Sequence, residues 1–132
     1  DGDLEIMPHY RKRIDANHTS VVEELRKRGV CVEDLSSSGS GLPDLILYYK
    51  GVTAFCEVKI GKGAVVKKTQ LAFAARWRGY VGFAKSADEA FALVSEPEMH
   101  CLTDRQKDKL LGYWATMSAK HVALSTIEKL IA

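Results

Sequence analysis

Leu42-Pro43-Asp44-Leu45-Ile46-Leu47-Tyr48-Tyr49-Lys50-Gly51-Val52-Thr53-Ala54-Phe55-Cys56-Glu57-Val58-Lys59 holds two runs of β-branched and aromatic residues joined at Lys50-Gly51. This spacing predicts a β-hairpin. A two-residue loop faces Tyr49 with Val52 and, counted back, Asp44 with Glu57. Carboxylates directly opposed on one sheet face lie about 5 Å apart and repel. Lys59 shares the face of Glu57, because strand side chains repeat every two residues. Three charges thus converge at one end of an otherwise apolar hairpin, where a divalent cation turns repulsion into binding. A hard-oxygen, carboxylate-only donor set suits Mg²⁺ or Mn²⁺ rather than Zn²⁺.

The hairpin strands are apolar on both faces, with Leu45, Leu47, Val52 and Ala54 on one and Ile46 and Phe55 on the other. Such strands lie inside a sheet covered on both sides. Upstream, a helix carries Val21, Val22 and Leu25 inward and ends at Gly29; it starts either at a Ser20-Val21-Val22-Glu23 capping box or earlier, at Asp15 or Asn17. The early start adds His18 to the inward face. Val30 to Leu35 reads as a strand, and Ser36 to Gly41 as a turn-rich loop whose amides and hydroxyls, Ser38 and Ser40 among them, suit phosphate or a plain surface loop equally.

Downstream, Ile60 to Gly63 is a basic loop. Lys67 to Trp77 is a helix with Gln70, Phe73, Ala74 and Trp77 along one stripe, and Trp77 is read as core. Tyr80 to Ala84 is a strand, and a Ser86-Ala87-Asp88-Glu89 capping box opens a helix through Val94. This order predicts an α/β fold with a central mixed β-sheet flanked by helices. Pro97 marks a boundary. Beyond it, a helix capped at Thr103 presents Leu110, Leu111, Trp114 and Met117, and a second carries Ile127, Leu130 and Ile131. Three segments result: a basic arm over 1–14, a core over 15–97 and a C-terminal helical extension over 98–132. Residues 1–6 precede Met7 and read as a cloning remnant. The extension reads as a lid packed on the core in preference to a dimer or DNA-recognition surface, because an apolar stripe usually means burial.

At 132 residues the chain suits one domain, with 46% hydrophobic and 27% charged residues. A net charge of +2 is a weak pointer to an anionic partner. Three widely spaced cysteines, Cys31, Cys56 and Cys101, form no C-x-x-C pair. They argue against a disulfide scaffold or a zinc site and suit a reducing cytoplasm. No apolar run approaches the roughly 20 residues that span a bilayer, and no secretory signal is visible.

Pro43-Asp44 followed by Glu57-Val58-Lys59 resembles the active site of the PD-(D/E)xK nuclease superfamily. The chain is most similar to small phage-type proteins of the virus-type replication-repair nuclease (VRR-NUC) group, relatives of Holliday junction resolvases. The similarity runs from about Arg13 to Ala92 and includes Asp15-Ala16-Asn17, Gly41-Leu42-Pro43-Asp44-Leu45, Gln70 and Trp77-Arg78-Gly79. It implies a restriction-endonuclease-like fold and cleavage of structured DNA, such as a four-way junction or flap, often by a homodimer. It also implies an intracellular protein of phage or prophage origin, acting in a bacterial host.

Phosphodiester hydrolysis near neutral pH requires an activated water and relief of charge on the phosphoryl group, and a bound metal supplies both. Asp44 and Glu57 are the expected ligands, joined by the backbone carbonyl of Val58. Lys59 holds the attacking water and stabilises the transition state electrostatically. The resemblance assigns Gln70 to the scissile phosphate or to ordering Lys59. It also expects an acid on the first helix, where this sequence has His18, with Asn17 adjacent and Ser20 where relatives often carry the acid. His18 is read either as holding a metal-bound water or as a cap, and Asn17 as orienting a ligand. Lys62, Lys67 and Lys68 are read as phosphate contacts, which give affinity without sequence reading. Two rivals remain: a non-catalytic nucleic-acid-binding module on a degraded nuclease fold, and a sequence-specific restriction or homing-type nuclease reading bases with its C-terminal helices.

Overall fold

The computed structural model describes residues 18–38 and 41–132. The arm expected over 1–14, together with Asn17 and Ser40, lies outside the described residues. The first helix, α1, is described over 18–27. It is already helical at residue 18, so Ser20 lies within it and the Ser20 capping box is not its start. His18 is therefore part of the helix, one turn ahead of Val21 and Val22 on the inward face, while the alternative caps at Asp15 and Asn17 lie outside the described residues.

Four strands form the main sheet: β1 (Cys31–Asp34), β2 (Leu45–Tyr49), β3 (Val52–Val58) and, further on, β5 (Tyr80–Ala84). Their order is β1-β2-β3-β5, antiparallel except for the parallel β3–β5 pair. The expected hairpin register is the observed one, with Tyr49 opposite Val52 and Leu45 opposite Cys56. Lys50 (φ 45°) and Gly51 (φ 86°) both lie in the left-handed region. This is the requirement of the two-residue turn whose twist matches the strands.

The sheet is covered on both faces, as its apolar strands demand. Leu45, Leu47, Ala54 and Cys56 pack against Val21, Val22 and Leu25 of α1 and against Ala90, Leu93 and Val94 of α3 (Ala87–Ser95). The opposite face carries Phe55 and Val81. It meets Leu71, Ala74 and Ala75 of α2 (Lys68–Arg76), and beyond them Leu110, Met117 and Ile127. The architecture is therefore α/β, with a mixed four-stranded sheet flanked by helices. Ser86 caps α3 by accepting the Glu89 N–H at 3.1 Å, as the sequence predicts.

The region after Pro97 is built into the same fold. Pro97 opens a short helix, α4 (Pro97–His100), and the Thr103 capping box opens α5 (Asp104–Thr116). A short strand, β6 (His121–Ala123), then leads into α6 (Leu124–Ile131). β6 pairs antiparallel with β4 (Val65–Lys67), making a second, two-stranded sheet that the sequence reading missed. Residues 98–132 are thus a packed lid with its own strand. The inward stripe of α5 holds Leu110 and Met117 as expected, but Leu111 is exposed. The stripe continues instead to Lys107, only 1% exposed, whose Nζ donates to the Gly79 carbonyl at 2.6 Å. Among the described residues, no helix is long and apolar enough to cross a membrane. All three cysteines are free.

Candidate active site

Asp44 sits at the Pro43 corner, one residue ahead of β2. Its carbonyl accepts the Leu35 N–H at 2.7 Å, which ties the corner to the end of β1. Its carboxylate Oδ2 accepts the Val58 N–H at 2.9 Å, bridging to the last residue of β3. Val58, whose carbonyl is expected to complete a metal-donor set, is thus fixed beside Asp44 through its amide.

Glu57 lies where the register places it, across from Asp44, and is only 3% exposed. A carboxylate this deep must find donors. Gln70 Nε2 donates to Glu57 Oε1 at 3.0 Å, and Lys59 Nζ lies 3.8 Å from the same oxygen. Gln70 Oε1 in turn accepts from Lys59 Nζ at 3.1 Å and from the Lys67 N–H at 3.0 Å. These partners fix the amide's orientation, nitrogen toward the carboxylate and oxygen toward the ammonium. Gln70 therefore hydrogen-bonds both Glu57 and Lys59. Its position in the first turn of α2, directly under the hairpin end, makes this possible.

Burial first, then the hydrogen bond and charge of Asp44, push the Glu57 carboxyl up to about 9, while Lys59 opposes the shift. Glu57 therefore keeps its proton at neutral pH. Desolvation and the neighbouring carboxylate both disfavour a second negative charge in this corner, and a bound cation would offset that charge. Among the described residues, no group of three or more His, Cys, Asp or Glu side chains is disposed to hold a metal ion. The acidic set here is the pair Asp44 and Glu57.

The described part of α1 brings no acidic side chain to this pair. Glu24 pairs with Arg28 at 3.2 Å and Glu23 is exposed, so neither turns toward the pair. His18 Nε2 contacts Asp34 Oδ2 at 3.3 Å, in poor hydrogen-bond geometry, rather than Asp44 or Glu57. Burial works to raise the Asp34 carboxyl, but the Ser36 hydroxyl and amide, with His18 and Arg26, hold it below its ordinary value.

Of the expected phosphate contacts, Lys62, Lys67 and Ser38 are exposed. The Lys68 ammonium is committed elsewhere, donating to the Met117 carbonyl at 2.7 Å and lying 5.3 Å from the centre of the Trp114 ring. Trp77, expected in the core, is 41% exposed and stacks on Phe73 at 5.4 Å. It sits at the C-cap of α2, with one side against Phe55 and Phe73 and the other open to solvent. Sequence reasoning gave no ligand role to Lys120 or Trp114. The packing of α5 on α2 and the β4–β6 pairing, which bring them beside α2, join residues far apart in the chain, and no local pattern announces either. Comparison with protein families, with curated proteins and with solved structures finds no match for this chain.

Proposed function

We propose that this chain is a metal-dependent DNA endonuclease, Mg²⁺- or Mn²⁺-requiring, of restriction-endonuclease-like fold and VRR-NUC type, acting inside a bacterial cell on structured or branched DNA. The observation that carries the reading is the buried Glu57 carboxyl beside Asp44, joined through one glutamine to the Lys59 ammonium. Two neighbouring carboxyl groups in a desolvated corner fit a hard divalent cation, which needs few protein carboxylates and keeps several waters. Asp44, Glu57 and the Val58 carbonyl are the groups that would hold it. When bound, the ion offsets charge growing on the phosphoryl oxygens and lowers the pKa of the attacking water.

The chain's own side chains supply the rest. Lys59 presents positive charge to the pentavalent phosphorus and positions the nucleophilic water. Gln70 holds Lys59 and Glu57 in fixed relation, so the ammonium is aimed before substrate arrives. One chain carries one such centre, so cutting two strands calls for a homodimer. The test is cleavage of junction, flap, nicked and linear DNA side by side with Mg²⁺ or Mn²⁺. Activity is expected to vanish in EDTA and in Asp44→Ala, Glu57→Ala and Lys59→Ala. Cleavage persisting in all three variants rejects the assignment.

The second reading is a non-catalytic DNA-binding module, favoured by α1 acids that turn away from the pair. Absence of Mg²⁺ or Mn²⁺ binding at millimolar concentration by calorimetry would select it.

A further inference from the structure

A groove of about 730 Å³ opens next to the proposed catalytic corner, between the Gly41-Leu42 approach to Asp44, the outer face of α2 and the α5–β6 segment. Its floor is apolar, formed by Leu42, Ala72, Phe73 and Trp114. Its rim carries Lys67, Arg76 and Lys120, and none of the described lining residues is acidic. These three cations are exposed, and none forms an ion pair among the described residues. Lys120 is held in place from its backbone, because its carbonyl accepts the Lys68 N–H at 2.8 Å. The groove and the catalytic network share a residue. The Lys67 amide donates to Gln70 Oε1 while its residue lines the groove.

An apolar floor under a cationic rim matches one form of DNA better than another. A continuous duplex presents phosphates and base edges, keeping its base faces stacked inside, so the floor would go unused. An unpaired strand offers phosphates to the rim and apolar base faces to the floor. We propose that this groove binds an unpaired DNA strand, with Arg76, Lys67 and Lys120 on the phosphates and Leu42 and Trp114 under the bases, since Phe73 is itself buried beneath Trp77 and the Arg76 guanidinium. The substrate is then duplex DNA bearing a single-stranded arm, which the C-terminal segment recognises. The choice of DNA rests on the nuclease reading above, but occupancy of the groove is measurable without cleavage.

The experiment is fluorescence anisotropy in EDTA with labelled oligothymidylate, a duplex of equal length and oligouridylate. Trp77→Phe leaves Trp114 as the sole tryptophan reporter, since the chain has two. Saturable binding of oligothymidylate, tighter than duplex and quenching Trp114, is expected. In Arg76→Glu/Lys120→Glu, affinity should fall at least about tenfold, and the slope of log affinity against log salt should shrink by about 1.4 for two lost single-strand phosphate contacts. An unchanged melting temperature guards against misfolding. Equal affinity in the double variant, duplex binding as tight without quenching, or tighter binding of oligouridylate overturns the proposal. Groove binding without any divalent-ion-dependent cleavage defeats the nuclease reading alone, and cleavage without groove binding defeats this one alone.

Discussion

Raising the pH of the metal-free protein from about 6 to about 8 is expected to destabilise it through Glu57 alone. Folded, the Glu57 carboxyl holds its proton up to about 9; unfolded, it releases it near the ordinary value of 4.5. Between those limits the native state binds one more proton than the unfolded chain, so stability falls as pH rises. The stabilising contribution is complete below the unfolded value and lost as pH climbs through the folded one. The slope approaches about 1.4 kcal/mol per pH unit, hence about 3 kcal/mol across the two units. For a chain of this size that corresponds to roughly 10 °C in melting temperature. The assay is thermal unfolding by circular dichroism in EDTA, comparing the wild type with Glu57→Gln so that histidine titration cancels. Wild type should lose about 10 °C relative to the variant between the two pH values, and saturating Mg²⁺ should abolish most of the loss. Parallel pH profiles for the two proteins would refute the reasoning, because the buried proton would then have no thermodynamic consequence.

Gln70→Ala removes the amide that donates to Glu57 and accepts from Lys59; cleavage should slow about 10- to 100-fold, the cost of a hydrogen bond to charged groups, and the melting temperature should fall by several degrees, because the buried Glu57 carboxyl loses a donor at a cost of about 1–3 kcal/mol. Gly82→Ala would place a Cβ 2.6 Å from Cδ2 of the buried Leu93, so it should cost about 1–3 kcal/mol in denaturant unfolding through overpacking. A chain ending at residue 97 loses Leu102, Leu110, Met117, Val122, Leu124 and Ile127 from the core, at roughly 1.5–3 kcal/mol each. That sum is comparable with the whole stability of a domain, so the truncated chain should be unfolded by circular dichroism.

The hairpin was legible because one physical fact fixes it. A two-residue loop with glycine second sets the register, and the register alone brings Asp44 to Glu57. The helix starts at Ser86 and Thr103 were legible for a similar local reason, since a hydroxyl and its partner three residues on satisfy amides at once. At the first helix, an equally good local signal at Ser20 lost to helix that had already begun. The β4–β6 pair escaped notice because each strand is three residues long, below the length at which alternation can be seen, and its stability is tertiary. Trp77 was read as core from its stripe yet is exposed, and Lys107, which no sequence signal singles out, is buried. Burial of single side chains depends on what packs opposite, and that information is not local.

The small β4–β6 ladder also dictates an order of events during synthesis. β4 runs directly into α2, the helix that carries Gln70, and its edge is paired by residues translated more than fifty positions later. Until the ribosome has passed residue 123, the entrance to α2 has no partner strand. A nascent chain that already contains the entire acid–lysine cluster therefore still lacks the brace that aims its glutamine. On the nuclease reading proposed above, cleavage is therefore expected only of chains that have received the α5–β6 segment.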